Sequence, residues 1–307
     1  MTEISSPDQV HGVAVAGSEP AQSQLNLGTL ERHDDISPED FYTKYFKPRR
    51  PVVFRSFSKA WPAREQWTLD YFREAHGDIM VPVYEEAFAD SGAAYGASDD
   101  RMPFREYLDL IEAGPTRKRL FLFNIFKHAP ELCGDFDFPR FAPKWARRHP
   151  FMFFGGQGSH VDAHFDVDMS HVFLTQFHGT KRVVLYGPEW SNHLYRHKFT
   201  VSHNVDLGNP DFDRYPRLAD AKGYECILED GDTVYMPSGY WHYVYYETGG
   251  FSLALRSPIT GPAGRMHMLY RVLALTVGDY SMTKLLGQKR WYAKKEEMAQ
   301  RKADRLP

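Results

Sequence analysis

Hydrophobic and polar positions alternate along the middle of the chain, and this period of two predicts a β-rich structure. Successive side chains of a strand point to opposite faces, so alternating or continuous apolar runs bounded by Gly and Pro are typical of strands. Such runs occur at 50–57, 78–86, 119–126, 151–156, 171–178, 181–187, 225–237, 242–248 and 251–257. Many short strands separated by turn residues favour a barrel or sandwich that closes its edges, and the double-stranded β-helix (jelly roll) is one such fold.

Helical patterns flank the strands. A helix is predicted to begin at Pro38, because Ser37 precedes it as a cap and two acidic residues follow in the first turn. Two further helices are predicted at 68–77 and 102–114. After Pro262 the apolar spacing changes to the helical period, which predicts two or three amphipathic helices. These helices either cover their own barrel or form a homodimer with a second copy of the chain.

The chain therefore divides into three parts. Residues 1–28 are rich in Ser, Gln, Pro, Gly and Ala without a hydrophobic period, which predicts a flexible leader. Residues 29–260 form one β-rich domain that includes the first helices, and residues 261–307 form the C-terminal helical segment. With 42% hydrophobic and 15% aromatic residues, the chain can bury a full core.

Charge and cysteine content narrow the function classes. The formal net charge of -3 creates no overall field that would attract nucleic acid or an anionic membrane. The cysteines, Cys133 and Cys226, lie far apart and indicate neither a disulfide framework nor a cysteine zinc site. We find no signal-peptide pattern and no apolar run of about 20 residues, so a protein that resides in the cytoplasm, with no membrane partner, is expected.

The stretch DAHFDVDMSHVFLTQFHGTKR, residues 162–182, carries the first candidate chemistry. In an extended chain His164 and Asp166 point to the same side, although a buried pair that only satisfies its own hydrogen bonds gives the same pattern. Downstream, His242 follows a Gly-Asp turn, a predicted strand and a Pro-Ser-Gly bend, and a barrel can bring it beside them. Two His and one carboxylate leave metal positions open, as in non-haem Fe(II) oxygenases, whereas structural zinc is closed by four ligands.

Lys181 begins the strand that follows the turn at Gly179. Its ammonium can therefore enter the same cavity and hold the distal carboxylate of a dicarboxylate co-substrate through a charge-assisted hydrogen bond. The alternative is an ordinary Lys-Arg pair in solvent, since lysine is rarely buried.

With these motifs the chain resembles the cupin-like JmjC-type family of Fe(II)- and 2-oxoglutarate-dependent oxygenases, which includes the asparaginyl hydroxylase of hypoxia-inducible factor and bacterial cupin-like proteins. The resemblance spans roughly residues 37 to 260, with matching segments at 37–78, 158–189, 209–246 and 249–258. It implies that His164, Asp166 and His242 are iron ligands and catalytic residues, and that Lys181 anchors 2-oxoglutarate. It further implies consumption of O2, release of succinate and CO2, and hydroxylation of a protein or peptide side chain.

Two positions depart from that hydroxylase. Val161 and Phe121 stand where it has a Thr and a Tyr that assist in holding the distal carboxylate. Asn124 and Arg256 are candidates to line the co-substrate pocket instead, and the alternative for each is a strand-end residue in solvent. Three other functions stay open: a small-molecule or natural-product hydroxylase, an RNA hydroxylase, and a non-catalytic cupin binding module. An RNA hydroxylase would need a basic surface around the opening of its active-site pocket.

Overall fold

The computed structural model describes residues 24–84, 100–120, 123–203 and 205–307. Its strands are β1 (Asn26–Thr29), β2 (Arg32–His33), β3 (Val52–Phe54), β4 (Met80–Val83), β5 (Asp100–Pro103), β6 (Phe151–Gly155), β7 (His160–His164), β8 (His171–His178), β9 (Lys181–Tyr186), β10 (Lys222–Leu228), β11 (Thr233–Met236), β12 (Trp241–Tyr246) and β13 (Gly250–Ser257). Its α-helices are α1 (Pro38–Phe41), α2 (Ala63–Gln66), α3 (Leu69–His76), α4 (Phe104–Ala113), α5 (Pro262–Leu273), α6 (Tyr280–Leu286) and α7 (Gln288–Ala303).

Two sheets enclose the centre of the molecule. One has the strand order β1-β10-β9-β12-β7 and the other has the order β2-β3-β11-β8-β13-β6, while β4 and β5 form a separate pair. Apolar side chains of both sheets, such as Leu185 and Val244 from the first and Leu174 and Ala254 from the second, pack into one cluster. This mainly β architecture with flanking helices confirms the predicted jelly-roll fold.

The N-terminal helices cover the outer face of the larger sheet. The ring of Phe41 on α1 lies 5.0 Å from that of Tyr235 on β11 and 5.6 Å from that of Phe173 on β8. The helix begins as predicted, because the Ser37 hydroxyl accepts a hydrogen bond of 3.1 Å from the amide of Asp40. Strand β8 is consequently buried on both faces along almost its whole length, so it forms a rigid wall for the interior.

Three sequence predictions need correction. The predicted leader ends too late, because Asn26–Thr29 form a strand that pairs in parallel with β10; residues 1–23 lie outside the described residues. The predicted strand at 119–126 is wrong in its described part: Arg119 makes only isolated bridges, and Asn124 caps a short 3-10 turn over Ile125–Lys127. The predicted strand at 225–237 is two strands, separated by a turn in which Gly231 has a φ of 88°.

The C-terminal helices behave in two ways. Helix α7 packs on the barrel, where Ala299 and Ala303 are buried against the domain, and the Arg217 guanidinium donates a 2.8 Å hydrogen bond to the carbonyl of Leu306. Helices α5 and α6, with the π-helical turn between them, instead leave large apolar side chains exposed: Met266, Leu269, Tyr270, Leu273, Val277, Tyr280 and Leu285. Thus α7 is a cover, and the homodimer stays a prediction. None of the helices in the described ranges has the length and hydropathy for a membrane crossing.

Candidate active site

A β-bulge in β7 aims His164 into the interior. His242 pairs with His164 while Val244, two residues further along β12, pairs with Val161, three residues away on β7. The extra residue in β7 breaks the alternation, so Val161 and His164 both line one cavity between the sheets. A bulge of this kind re-aims side chains, which is why bulges are frequent next to active sites.

Asp166 lies beyond the end of β7. The amide of Phe165 bonds the carbonyl of Val201 at 3.1 Å, and the carbonyl of Asp166 then accepts from the amide of Met169 at 3.0 Å, which closes a turn. Asp166 nevertheless lines the same cavity as His164, so the two side chains share one side as the sequence spacing predicts. The carboxylate is therefore positioned by a turn rather than by a regular strand.

His164, Asp166 and His242 converge in this cavity. One candidate ligand atom from each lies within 4.8 Å of the other two, and the imidazole centroids of the two histidines are 4.2 Å apart. Burial, with a smaller effect of neighbouring His164, lowers the pKa of His242 to about 3, so its imidazole is neutral at physiological pH. Neutral imidazole and ionised carboxylate are the forms that bind a divalent metal.

The surrounding hydrogen bonds leave one atom of each side chain free for an ion. His164 Nδ1 donates to the carbonyl of Asp162 at 2.8 Å and His242 Nδ1 donates to that of Tyr240 at 3.3 Å, which leaves both Nε2 atoms as acceptors. Asp166 Oδ1 accepts from Arg256 at 3.2 Å, whereas Asp166 Oδ2 is buried without a hydrogen-bond partner. This donor set fits a divalent cation of the kind held by two histidines and one carboxylate.

Arg256 balances the charge of the acidic turn. Its guanidinium also lies 3.5 Å from Asp168 Oδ1, so it bridges two carboxylates. Burial alone would raise the pKa of Asp166, but the charge and hydrogen bond of Arg256, with smaller contributions from the neighbouring imidazoles, outweigh it and hold the pKa below its ordinary value. Arg256 therefore keeps Asp166 ionised and fixes the direction of its carboxylate.

Lys181 lies in the same cavity, where it is 1% exposed. Its Nζ donates to Ser252 Oγ at 2.5 Å and lies 4.2 Å from the ring centroid of Tyr246. Within the described residues no carboxylate forms an ion pair with it, and burial lowers the pKa of Lys181 well below its ordinary value. A buried ammonium without an anionic partner is costly, so this end of the cavity is suited to a carboxylate ligand.

The turn at Gly179 sets where β9 begins and therefore where Lys181 lies. Gly179 has a φ of 75°, and a Cβ at this position would lie 2.3 Å from the carbonyl oxygen of Gly249. Only glycine meets both conditions without strain.

The remaining walls of the cavity, which has a volume of about 380 Å³, are mostly apolar. They are formed by Phe153, Val161, Phe165, Val167, Val172, Leu174, Val201, Met236, Val244, Tyr246, Ala254 and Leu275, with the hydroxyl of Ser252. An apolar cavity with a few convergent polar groups is the usual form of a small-molecule site.

The structure places the other predicted residues as follows. Arg256 lines the cavity, as predicted, and so does Ala254, two residues before it on β13. Asn124 is not among the described lining residues, and its side-chain oxygen accepts from the amide of Phe126 at 3.1 Å. Val161 faces the cavity, and Phe121 lies outside the described residues.

Sequence reasoning missed three contributors to the site. Ser252 and Tyr246 contact the Lys181 ammonium, and Asp168 shares Arg256 with Asp166. The signal for Tyr246 was its spacing from His242, since positions two and four residues along a strand lie on the same face. No local pattern distinguishes Asp168 from a solvent-exposed acid.

Comparison with known proteins identifies relatives of the whole domain. A family model described as a cupin-like domain matches residues 38–257. Jumonji C domain-containing protein 5 of Drosophila melanogaster is 28% identical over 254 residues, which cover 77% of this chain and 61% of that protein. The tRNA wybutosine-synthesizing protein 5 of Gallus gallus is 30% identical over 240 residues, covering 72% of this chain and 74% of that protein.

The lysine-specific demethylase JMJ30 of Arabidopsis thaliana is 29% identical over 243 residues, covering 75% of this chain and 55% of that protein. The matched region is thus less than two thirds of the fly and Arabidopsis relatives. The family model covers well over half of the chain, including all three converging side chains. The chain therefore belongs to the cupin-like, JmjC-type family.

Proposed function

We propose that the protein is an Fe(II)- and 2-oxoglutarate-dependent oxygenase that hydroxylates a protein or peptide side chain and releases succinate and CO2. One observation carries the proposal: the cavity combines two imidazoles, a carboxylate oxygen without a partner and a buried ammonium. Members of the JmjC-type family are typically oxygenases of this kind.

The chain's own residues have distinct tasks in this function. His164 and His242 would hold the iron through Nε2 and Asp166 would hold it through Oδ2, while Lys181 binds the far carboxylate of 2-oxoglutarate. Iron with 2-oxoglutarate and O2 supplies the oxidising chemistry when bound. Arg256 keeps Asp166 oriented, and the apolar walls formed by both sheets exclude water from the reacting groups.

A protein or peptide substrate is favoured by the names of the relatives. The Arabidopsis relative is named a lysine-specific demethylase. The name of that relative indicates a substrate that is an amino-acid side chain. An RNA substrate is the second candidate, because the chicken relative is named a tRNA wybutosine-synthesizing protein.

The function is tested by metal uptake and turnover. Purified protein is incubated with Fe(II), 2-oxoglutarate and a peptide library; succinate is measured by NMR and the gain of one oxygen atom by mass spectrometry. The variants His164→Ala, Asp166→Ala and His242→Ala should lose both iron and succinate formation, whereas His149→Ala, at an exposed position, should retain both. Wild-type protein that binds no iron, or turnover that persists in the three variants, would contradict the proposal.

A further inference from the structure

A second cavity lies beside the active-site cavity. It has a volume of about 290 Å³ and shares Val201 and Leu275 with the first, so the two adjoin each other. Besides the phenol of Tyr270, its ionisable lining residues are basic or imidazole groups: Arg196, His197, Lys198, His267, Arg271 and Lys302. No Asp or Glu is among the described residues that line it. We call it the basic cavity.

Two guanidinium groups of the basic cavity contact the residue between two of the proposed metal ligands. The guanidinium carbon of Arg196 lies 5.0 Å from the ring centroid of Phe165, and that of Arg271 lies 4.6 Å from the same centroid. Phe165 separates His164 from Asp166 in the sequence and also lines the active-site cavity. The basic cavity is therefore within one side chain of the proposed reaction centre.

These two charges are not compensated by acids. In the ranges that the structure describes, neither Arg196 nor Arg271 forms an ion pair, and Arg271 Nε donates to His267 Nε2 at 3.0 Å. Burial, together with the nearby charge of Arg271, lowers the pKa of Arg196 to about 10. Arg256 differs, because its guanidinium is bridged to two carboxylates. Partly buried guanidinium groups that lack an anion within the protein are suited to an anion supplied by a ligand.

We propose that the basic cavity binds a carboxylate side chain of the peptide substrate, so that the enzyme selects acidic peptides. This inference rests on the proposed function, since it places the carboxylate next to the residue that enters the active-site cavity. The enclosed volume holds one side chain, whereas a polynucleotide backbone needs an extended basic surface. The overall charge of -3 means that the cavity is a local feature and not part of a generally basic protein.

The test measures binding without iron or 2-oxoglutarate. Fluorescence anisotropy is recorded with a labelled pentaglutamate peptide, a pentaglutamine peptide and a five-nucleotide oligouridylate. The double variant Arg196→Gln/Arg271→Gln should bind pentaglutamate at least about tenfold more weakly, the loss expected from one charge-assisted hydrogen bond. Lys198→Gln/Lys302→Gln, at exposed rim positions, provides a second variant that leaves the buried contacts intact, and it should also weaken binding. Arg290→Gln, exposed and outside the cavity, is the charge-matched control.

A further variant separates this cavity from the buried ammonium. Lys181→Met shows whether pentaglutamate pairs with the buried ammonium instead: a loss of pentaglutamate binding in Lys181→Met that the two cavity variants do not share would overturn the inference. Equal binding of pentaglutamate and pentaglutamine, undiminished binding by both cavity variants, or a preference for oligouridylate that depends on Arg196 and Arg271 would overturn the inference. Since no iron or turnover enters the measurement, its failure is distinct from failure of the proposed oxygenase function.

Discussion

Replacing Lys181 with methionine removes the buried ammonium while keeping most of the side-chain volume. The wild-type Nζ has a hydroxyl at 2.5 Å, the carbonyl of Phe153 at 3.5 Å and an aromatic ring, but no carboxylate forms an ion pair with it in the described chain. The substitution should therefore have two opposite effects. It should weaken binding of 2-oxoglutarate, and it should stabilise the protein that has no ligand.

The ligand effect follows from one charge-assisted hydrogen bond. Such a bond contributes about 1.5–3 kcal/mol, so Lys181→Met should raise the dissociation constant of 2-oxoglutarate about 10- to 150-fold. Metal binding should be unchanged, since Lys181 is not among the three converging side chains that we propose as ligands.

The stability effect depends on pH in a defined direction. Burial lowers the pKa of Lys181 in the folded protein, whereas an unfolded chain has the ordinary lysine value of about 10.4. Between these two values the unfolded chain binds more protons, so the free energy of unfolding of the wild type rises with pH in that window. The advantage of Lys181→Met should be fully present below the folded pKa and should disappear as the pH passes about 10.4.

Two measurements check the reasoning. Isothermal titration calorimetry with Mn(II) in place of iron gives the 2-oxoglutarate affinity, and urea unfolding at about pH 7 and about pH 10 gives the stability difference. Lys59→Met, at an exposed position, is the matched control and should change neither quantity. Unchanged 2-oxoglutarate affinity would refute the assignment of Lys181 as the residue that binds the carboxylate. A variant that is less stable than the wild type at neutral pH would refute the reasoning that the buried Lys181 destabilises the ligand-free protein.

Three further outcomes are expected. Gly179→Ala should lower the free energy of unfolding by about 1–3 kcal/mol in urea titrations, because of its positive φ and the facing carbonyl, while Gly134→Ala, with open space around it, should not. Arg256→Gln should weaken Mn(II) binding about 10- to 100-fold in chelator competition, and an unchanged affinity would contradict its orienting role. Light scattering should find a dimer that Leu269→Glu/Leu273→Glu converts to a monomer; a monomeric wild type would show that the homodimer prediction is wrong.

The sequence predicted the structure well where residue types are typical of a metal site or where the hydrophobic spacing of a strand or helix is regular. His164 and Asp166, two residues apart, together with a distant His242, were sufficient to predict a convergence that the structure contains. Strand β8 was predicted with its observed bounds because it is rich in aromatic and branched residues and ends at a glycine turn. Both signals can be read from residue types and spacing, without knowledge of the three-dimensional structure.

The misses have tertiary causes. Strand β1 has only four residues and exists because β10 offers it a parallel partner, so its own pattern carries little signal. Asn124 interrupts an apolar run by bonding the amide of Phe126, which replaces a strand with a turn. Arg196 comes from a loop and Arg271 from the C-terminal helix α5, and both guanidinium groups lie over the ring of Phe165. No pattern in either segment predicts this contact.

The bulge in β7 makes the site depend on strand pairing as well as on residue type. Positions three residues apart on a regular strand point to opposite faces, so a β7 of the same sequence that paired regularly with β12 would turn either His164 or Val161 away from the interior. Every ionisable side chain of the site would still be present in the sequence. If the imidazole is the group turned away, such a protein keeps the residues typical of its family and has lost the proposed metal site.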